Sequence, residues 1–389
     1  MNIPPSSRPL AAARRSPGCR PPLRFPAAAV LLASLAPALA TPGFAQHYLQ
    51  TNLVSDVPGF AAATDPALIN PWGLSRSATS PWWVADNGTG LSTLYNGAGA
   101  AQALIVGVPP AGGQEPPSAP TGTVFSGSTD FQVGPGQPAR FLFSTEDGTI
   151  AGWNPAAGAT AAITKVDNSG HAVYKGLALA QVAGANYLYA ANFFAGTVDV
   201  FDKNFAPASL GANAFRDRLL PKGYAPFNVQ AIGDTLYVTF AKQDDTKFDE
   251  VAGAGRGFVD AFTTAGVLKM RLRWGRWFNA PWGVALAPAG FGRFSGMLLV
   301  GNFGSGKIAA FDPANGHFRG MVRGARGRPL AIDGLWALGF GNGAGAGPAT
   351  TLYFTAGIDD EAHGLFGTIT PFNDGHGDRD HDDDDDSGD

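Results

Sequence analysis

The residues best able to do chemistry in this 389-residue sequence sit at repeating turn positions. Asn87, Asp147, Asn192, Asp244, Asn302 and Asp359 each follow a short apolar run. Asn70, Asp130, Lys175, Asn228, Asn279 and Asp333 stand near the entry to such runs, with Trp72, Trp282 and Trp336 beside them. If both sets converge on one face, their oxygen atoms suit a hard cation such as Ca²⁺, and the indoles suit stacking on a sugar ring. The same residues are also what turns demand, because Asn and Asp side chains bond their own backbone. The densest group of metal-ligating or acid/base side chains is Asp359, Asp360, Glu361 and His363, in a loop that interrupts the pattern. A second interruption, over 241–250, is polar and acidic. Insertions on a rigid scaffold often carry function, although a solvated acidic loop has the same composition.

These positions belong to a repeat. An aromatic-Gly-apolar start leads into a short strand, an Asn/Asp-Gly turn and a second strand ending in an aromatic. The clearest copies begin Pro71-Trp72-Gly73-Leu74 and Pro281-Trp282-Gly283-Val284. Runs such as Phe141-Leu142-Phe143-Ser144 and Thr235-Leu236-Tyr237-Val238-Thr239-Phe240, bounded by turn residues, read as strands. Six copies align. The second is expected to open at Asp130-Phe131-Gln132, the third at Tyr174, the fourth at Phe227 and the sixth at Leu335. Each is long enough for four strands, the size of a propeller blade. The fold class expected is therefore all-β, a six-bladed β-propeller of four-stranded antiparallel blades. The alternating segment Tyr48–Val54 precedes the first copy and should supply the outer strand of the last blade, closing the ring and removing a sheet edge.

The ends differ from this body. Arg8, Arg14, Arg15, Arg20 and Arg24 precede an apolar stretch from Ala27 to Leu39, the pattern of an export signal and too short to span a bilayer. The expected organisation is a signal over 1–45, a propeller over 46–373 and an Asp-rich tail over 374–389. The tail has no apolar residue to bury and reads as disordered. The single cysteine, Cys19, lies in the signal, so the remaining chain has no disulfide or thiolate chemistry. With both ends set aside the body is close to neutral. That excludes the basic footprint of a nucleic-acid binder, and no second long apolar run suggests a membrane span. The Gly301–Lys307 segment has phosphate-loop spacing, but Ile308 stands where a hydroxyl is required.

The run Tyr48-Leu49-Gln50-Thr51-Asn52-Leu53-Val54-Ser55-Asp56, the phrase Asn70-Pro71-Trp72-Gly73-Leu74, and Asn302-Phe303-Gly304 with Asp312-Pro313 resemble a family of exported bacterial conserved-hypothetical proteins, some with PEP-CTERM sorting tails. The repeat is also similar to the NHL class of six-bladed propellers. The resemblance implies export, to the periplasm or the exterior, and a propeller fold. It implies no catalytic residues. After Asn373 there is no Pro-Glu-Pro motif, apolar span or basic end like those of the tailed members. Three readings stand. One is a monomeric binding protein that meets a ligand or protein partner at the Asn/Asp/Trp face. Another is a Ca²⁺-dependent hydrolase, lactonase-like, or a lyase at the channel mouth. The third is an envelope or matrix structural protein.

Overall fold

A computed structural model describes residues 47–372. The expected signal and acidic tail lie outside them. Six antiparallel sheets form the blades of a β-propeller. Blade 1 holds Pro71–Ser75, Trp82–Asp86, Leu91–Tyr95 and Val106–Gly107. Blade 2 holds Pro120–Phe125, Phe141–Thr145, Thr149–Trp153 and Ile163–Asp167. Blade 3 has three strands, Tyr174–Val182, Ala185–Asn192 and Thr197–Phe201. Blade 4 holds Tyr224–Ile232, Thr235–Lys242, Phe258–Thr263 and Leu268–Arg271. Blade 5 holds Pro281–Leu286, Leu298–Asn302, Ile308–Phe311 and Phe318–Met321.

Blade 6 closes the ring as the sequence suggested. Leu335–Phe340, Leu352–Ile358 and His363–Phe372 are joined by the N-terminal strand His47–Ser55, which pairs antiparallel from His47↔Phe372 to Ser55↔Leu365. Alternation drives Tyr48 inward, where it is 1% exposed. Its hydroxyl donates to Phe291 O at 2.9 Å, tying the seam to blade 5.

Two expectations need correction. Blade 2 opens at Pro120–Phe125; Gln132–Gly134 instead pairs with Gln137–Pro138 in a separate small hairpin. The true opening, Pro120-Thr121-Gly122-Thr123, has the repeat's glycine but Thr in place of its aromatic, which hid it. Blade 3 lacks a fourth strand. After Phe201 the chain turns through Phe205 at φ +66° and Pro207, and Pro207 has no amide for a ladder.

The repeat's glycine has a specific task. In every blade the pairing of the innermost strand shifts at the same place: between Pro71 and Leu74, opposite Phe143–Thr145 at Thr121–Gly122, and at Tyr174–Leu177, Pro226–Asn228, Pro281–Val284 and Leu335–Leu338. A bulge adds a residue to one strand and re-aims its side chain. Neighbouring innermost strands are then so close that a Cβ on Gly73 would stand 2.9 Å from Thr123 N. One on Gly122 would stand 2.9 Å from Gly176 C, and one on Gly176 2.8 Å from Asn228 Cα. Blade 4 has Asn228 at this position, and its Nδ2 donates to Trp282 O in the next blade at 2.9 Å.

Gly73→Ala should therefore destabilise the protein by about 1–3 kcal/mol, the usual cost of overpacking. Gly107→Ala is the control, since the nearest atom to its added Cβ is 3.7 Å away; it should change stability by less than about 0.5 kcal/mol. Urea unfolding of the two variants measures the difference.

Candidate functional site

The residue before each bulge glycine, or its equivalent, faces the axis. The ring so formed is Trp72, Thr121, Lys175, Phe227, Trp282 and Trp336. The three tryptophans are 0–4% exposed and close the channel. Trp72 stacks on Trp336 with centroids 3.6 Å apart, and Trp282 meets both edge-on, at 6.2 and 5.7 Å. On the other face of Trp336 lies Phe303, at 4.1 Å. The tryptophans are thus a plug and not a sugar-stacking surface.

A second ring lies at the start of the turn after each second strand. In each blade one backbone N–H there donates to the residue just before the innermost strand. Asn87 bonds Asn70 O at 3.1 Å, Glu146 bonds Ala119 O at 2.9 Å and Phe193 bonds Val173 O at 2.8 Å. Gln243, Phe303 and Gly357 bond Gly223 O, Ala280 O and Gly334 O, each at 2.9 Å. Structural equivalence therefore runs through Asn87, Glu146, Phe193, Gln243, Phe303 and Gly357. Of the turn set read from sequence, Asn87 is in register. Asp147, Asn192, Asp244, Asn302 and Asp359 are offset by one or two residues and mostly serve their turns.

Asn192 bonds Asp199 Oδ2 at 2.9 Å and accepts from Ala195 N at 3.1 Å. Asn302 is fully buried, accepting from Asn279 N at 2.9 Å and donating to Lys307 O at 2.9 Å. Asn279 donates to Gly304 O at 2.8 Å. Asp244 accepts from Phe248 N at 3.0 Å. Asp147 accepts from Ala119 N at 3.2 Å, and burial raises its pKa. Asp333 accepts from Asp359 N at 2.9 Å.

Asn70, Asn87 and Glu361 do meet at the mouth, around a group that includes four further residues. Lys175 is 1% exposed, and its ammonium pairs with Glu146 and, at 3.2 Å, with Asp249. It also lies 5.1 Å from the centroid of Trp72, 5.9 Å from Phe193 and 5.0 Å from Phe248. Asn87 Nδ2 donates to Glu146 Oε2 at 2.8 Å, and Asn87 Oδ1 accepts from Asn70 Nδ2 at 3.3 Å; Asn70 Oδ1 in turn accepts from Trp336 Nε1 at 3.2 Å. Phe248, Asp249 and Glu250 come from the insertion in blade 4. Glu361 comes from the loop of blade 6, over the side-chain-free Gly357. That loop runs through Asp359, Asp360 and Glu361 at φ +56°, +50° and +66°, an unusual conformation for three successive non-glycine residues.

The electrostatics follow from four carboxyl groups facing one ammonium. Burial alone would lower the Lys175 pKa, but Glu146, Asp249 and Glu250 together raise it above its ordinary value. Burial raises Glu250, partly offset by Lys175. Burial, together with Glu250 and Glu146, pushes Glu361 up to about 8. Glu361 is thus neutral over most of the physiological range and can act as a proton donor.

The expected metal quartet does not gather. Asp359 and Asp360 are exposed, and His363 Nδ1 pairs with Asp56 Oδ2 at 2.7 Å while Glu361 turns to the mouth. Among the described residues no group of three or more His, Cys, Asp or Glu side chains is placed to hold a metal ion. At the mouth, the cation that the carboxylates call for is the protein's own Lys175. Beside it lies a cavity of about 360 Å³, lined by Glu146, Asp147, Phe194, Thr246 and Phe248 among others.

The sequence marks Lys175 only as a strand-entry residue and Asp249 and Glu250 only as part of the 241–250 insertion, and it does not single out Glu146. The signal for Glu146 was its place one residue after the second strand, matching Asn87. Asp249 and Glu250 lie in an insertion, where the repeat offers no register.

No family model matches the chain. The chain is 33% identical over 332 residues to the uncharacterised protein L690 of Acanthamoeba polyphaga mimivirus, covering 82% of this chain and 84% of that protein. It belongs to the same family as that protein. This relative is viral, where the sequence resemblance implied a bacterial family. A solved protein of unknown function from Bacteroides thetaiotaomicron shares the fold, with a TM-score of 0.50 at 12% identity, covering 83% of this chain and 76% of that one. A streptogramin B lyase structure aligns with a TM-score of 0.48 at 12% identity, over 83% and 97% of the two chains.

Removing the ammonium should leave buried charge uncompensated. Lys175→Met should cost about 3–5 kcal/mol at pH 7–8, and less near pH 4.5, where the carboxylates take up protons. Denaturant unfolding at the two pH values measures this. Glu361 acts in the opposite sense to most acidic residues. Its folded-state pKa is raised, so its contribution to stability is present below its ordinary value of 4.5 and lost as pH rises through about 8. Between pH 5 and 9 the Tm should fall more in the native protein than in Glu361→Gln, and the variant should be the more stable at pH 9.

Proposed function

We propose that the protein is an exported propeller that binds a ligand carrying a cationic group at the acidic mouth of its channel. One observation carries the reading. Four carboxyl groups face a single ammonium and leave the mouth with surplus negative charge, beside a 360 Å³ cavity lined by Glu146, Asp147, Phe194 and Phe248. Carboxylates supply Coulomb attraction and charge-assisted hydrogen bonds. Aromatic faces stabilise a partly desolvated ammonium or guanidinium, as they already do for Lys175. Ligand pockets of this kind are mainly apolar walls with a few placed polar groups. Export rests on the Arg-rich start followed by the apolar stretch Ala27–Leu39.

Calorimetry at low salt with benzylamine and spermidine as probes, against benzyl alcohol and glucose, tests the reading. The amines should bind and the neutral compounds should not. Affinity should rise between pH 6 and 9, as Glu361 ionises, and fall with added salt. Glu146→Gln with Asp249→Asn should weaken amine binding at least tenfold. Equal binding of benzylamine and benzyl alcohol, or no amine binding at millimolar concentration, rejects it.

A further inference from the structure

The innermost strands begin at the acidic mouth and end at the opposite one, and there the channel has a different character. A cavity of about 440 Å³ is lined by the last residues of the innermost strands of all six blades. Its walls are mixed: Leu74, Val124, Leu179, Ile232, Val284 and Leu338 contribute one aliphatic side chain from each blade, among polar groups that include Ser75, Arg76, Thr123 and Gln230. A small pocket of about 20 Å³ continues it down to Trp282 and Asn228, at the plug. The tryptophan plug therefore separates two compartments. A well this large, with an aliphatic side chain from every blade and a few placed polar groups, has the form of a small-molecule site.

Three polar features stand on this wall. Arg76 lies there with no carboxylate partner among the described residues. Its Nε donates to Phe340 O at 2.6 Å and one terminal nitrogen to Gly341 O at 3.1 Å, so its charge faces only carbonyls and the Trp82 ring, 5.5 Å away. Burial lowers its pKa, the sign of a cation short of compensation. Thr123, which lines both the cavity and the pocket beneath it, is 5% exposed, and its hydroxyl has no hydrogen-bond partner among the described residues. Unsatisfied buried polar atoms are uncommon and mark places where a partner is missing. Gln230, also shared by the two pockets, adds a carboxamide to the wall.

We infer that this well binds an apolar carboxylate, a medium-chain acyl or aryl acid, with its carbon chain against the six strand ends and its carboxylate at the Arg76 guanidinium. The site is distinct from the acidic mouth and takes a ligand of opposite charge. An apolar tail fills a wall that otherwise meets water, and the anion supplies the counter-charge that Arg76 lacks. Leu286, 43% exposed at the rim, offers additional apolar surface to a bound chain.

The test is calorimetry of the native protein with decanoate, decanol and decyltrimethylammonium below their aggregation limits. Decanoate should bind at least tenfold more tightly than decanol, and the cationic compound should bind least. Arg76→Gln should abolish the preference for the carboxylate. If that variant melts early because two carbonyls lose their donor, Leu286→Glu provides the second test: an exposed rim position tolerates the change, and the new carboxylate should weaken decanoate at least fivefold while decanol changes little. Benzylamine binding at the acidic mouth should persist in Leu286→Glu, so failure of one site is distinguishable from failure of the other. Equal affinity for the three head groups, or no decanoate binding at 5 mM (about 3 kcal/mol of binding at most), overturns the proposal.

Discussion

The close approach of six innermost strands around one axis governs everything else in this protein. Each strand passes its neighbour where a side chain can hardly fit, and a bulge at that point turns the preceding side chain into the channel. Glycine meets the first requirement in four blades. Asn228 meets it by bonding across to Trp282 O, and Ala337 stands at the equivalent place in blade 6. The bulge creates the axial ring, and the ring divides by chemistry. Its aromatic members form a plug, while its one charged member, Lys175, is forced to find counter-charge on the side where the turns open.

That demand organises the mouth. Glu146 comes from the neighbouring blade's turn, Asp249 and Glu250 from the blade 4 insertion, and Glu361 from the strained loop of blade 6. None of these segments is close to another in sequence. A buried ammonium is a poor source of net stability, since its desolvation offsets much of the Coulomb gain. What it does supply is position. The carboxyl groups are held around a fixed point, and burial, reinforced by the charges of Glu250 and Glu146, keeps a proton on Glu361 far above its ordinary range.

The fold was legible because it rests on local rules repeated six times: aromatic-Gly starts, apolar strands and Asn/Asp-Gly turns. The N-terminal strand that completes blade 6 was legible from its alternation. The opening of blade 2 was not, since Thr121 breaks the aromatic signature while Gly122 keeps the geometric one. The site was only partly legible. Turn composition drew attention to Asp147, Asn192 and Asn302, but a one-residue offset moves a side chain from the axis to the turn itself. Asn87 and Glu361 lie at the mouth, Glu361 without the metal quartet expected of it, whereas Glu146 was not singled out and Asp249 only as part of the 241–250 insertion, because their role exists only in relation to Lys175. The repeat led to Trp72, Trp282 and Trp336 being expected at a polar ligand face; whether an indole there lines a mouth or fills a plug depends on packing across the ring, which the repeat does not encode. The well at the opposite end, and an Arg76 that meets carbonyls and no carboxylate among the described residues, left no trace in composition.

The central claim is that the mouth is one coupled cluster of carboxyl groups around the Lys175 ammonium. Carbon-detected NMR titration of the side-chain carboxyls, with Glu361 and Glu250 assigned by single substitutions, tests it most directly. Glu361 should titrate near 8, Glu250 above its ordinary value, and both should shift when Lys175 is replaced by Met. Titration of Glu361 near 4.5, unchanged in the Lys175→Met variant, would contradict it.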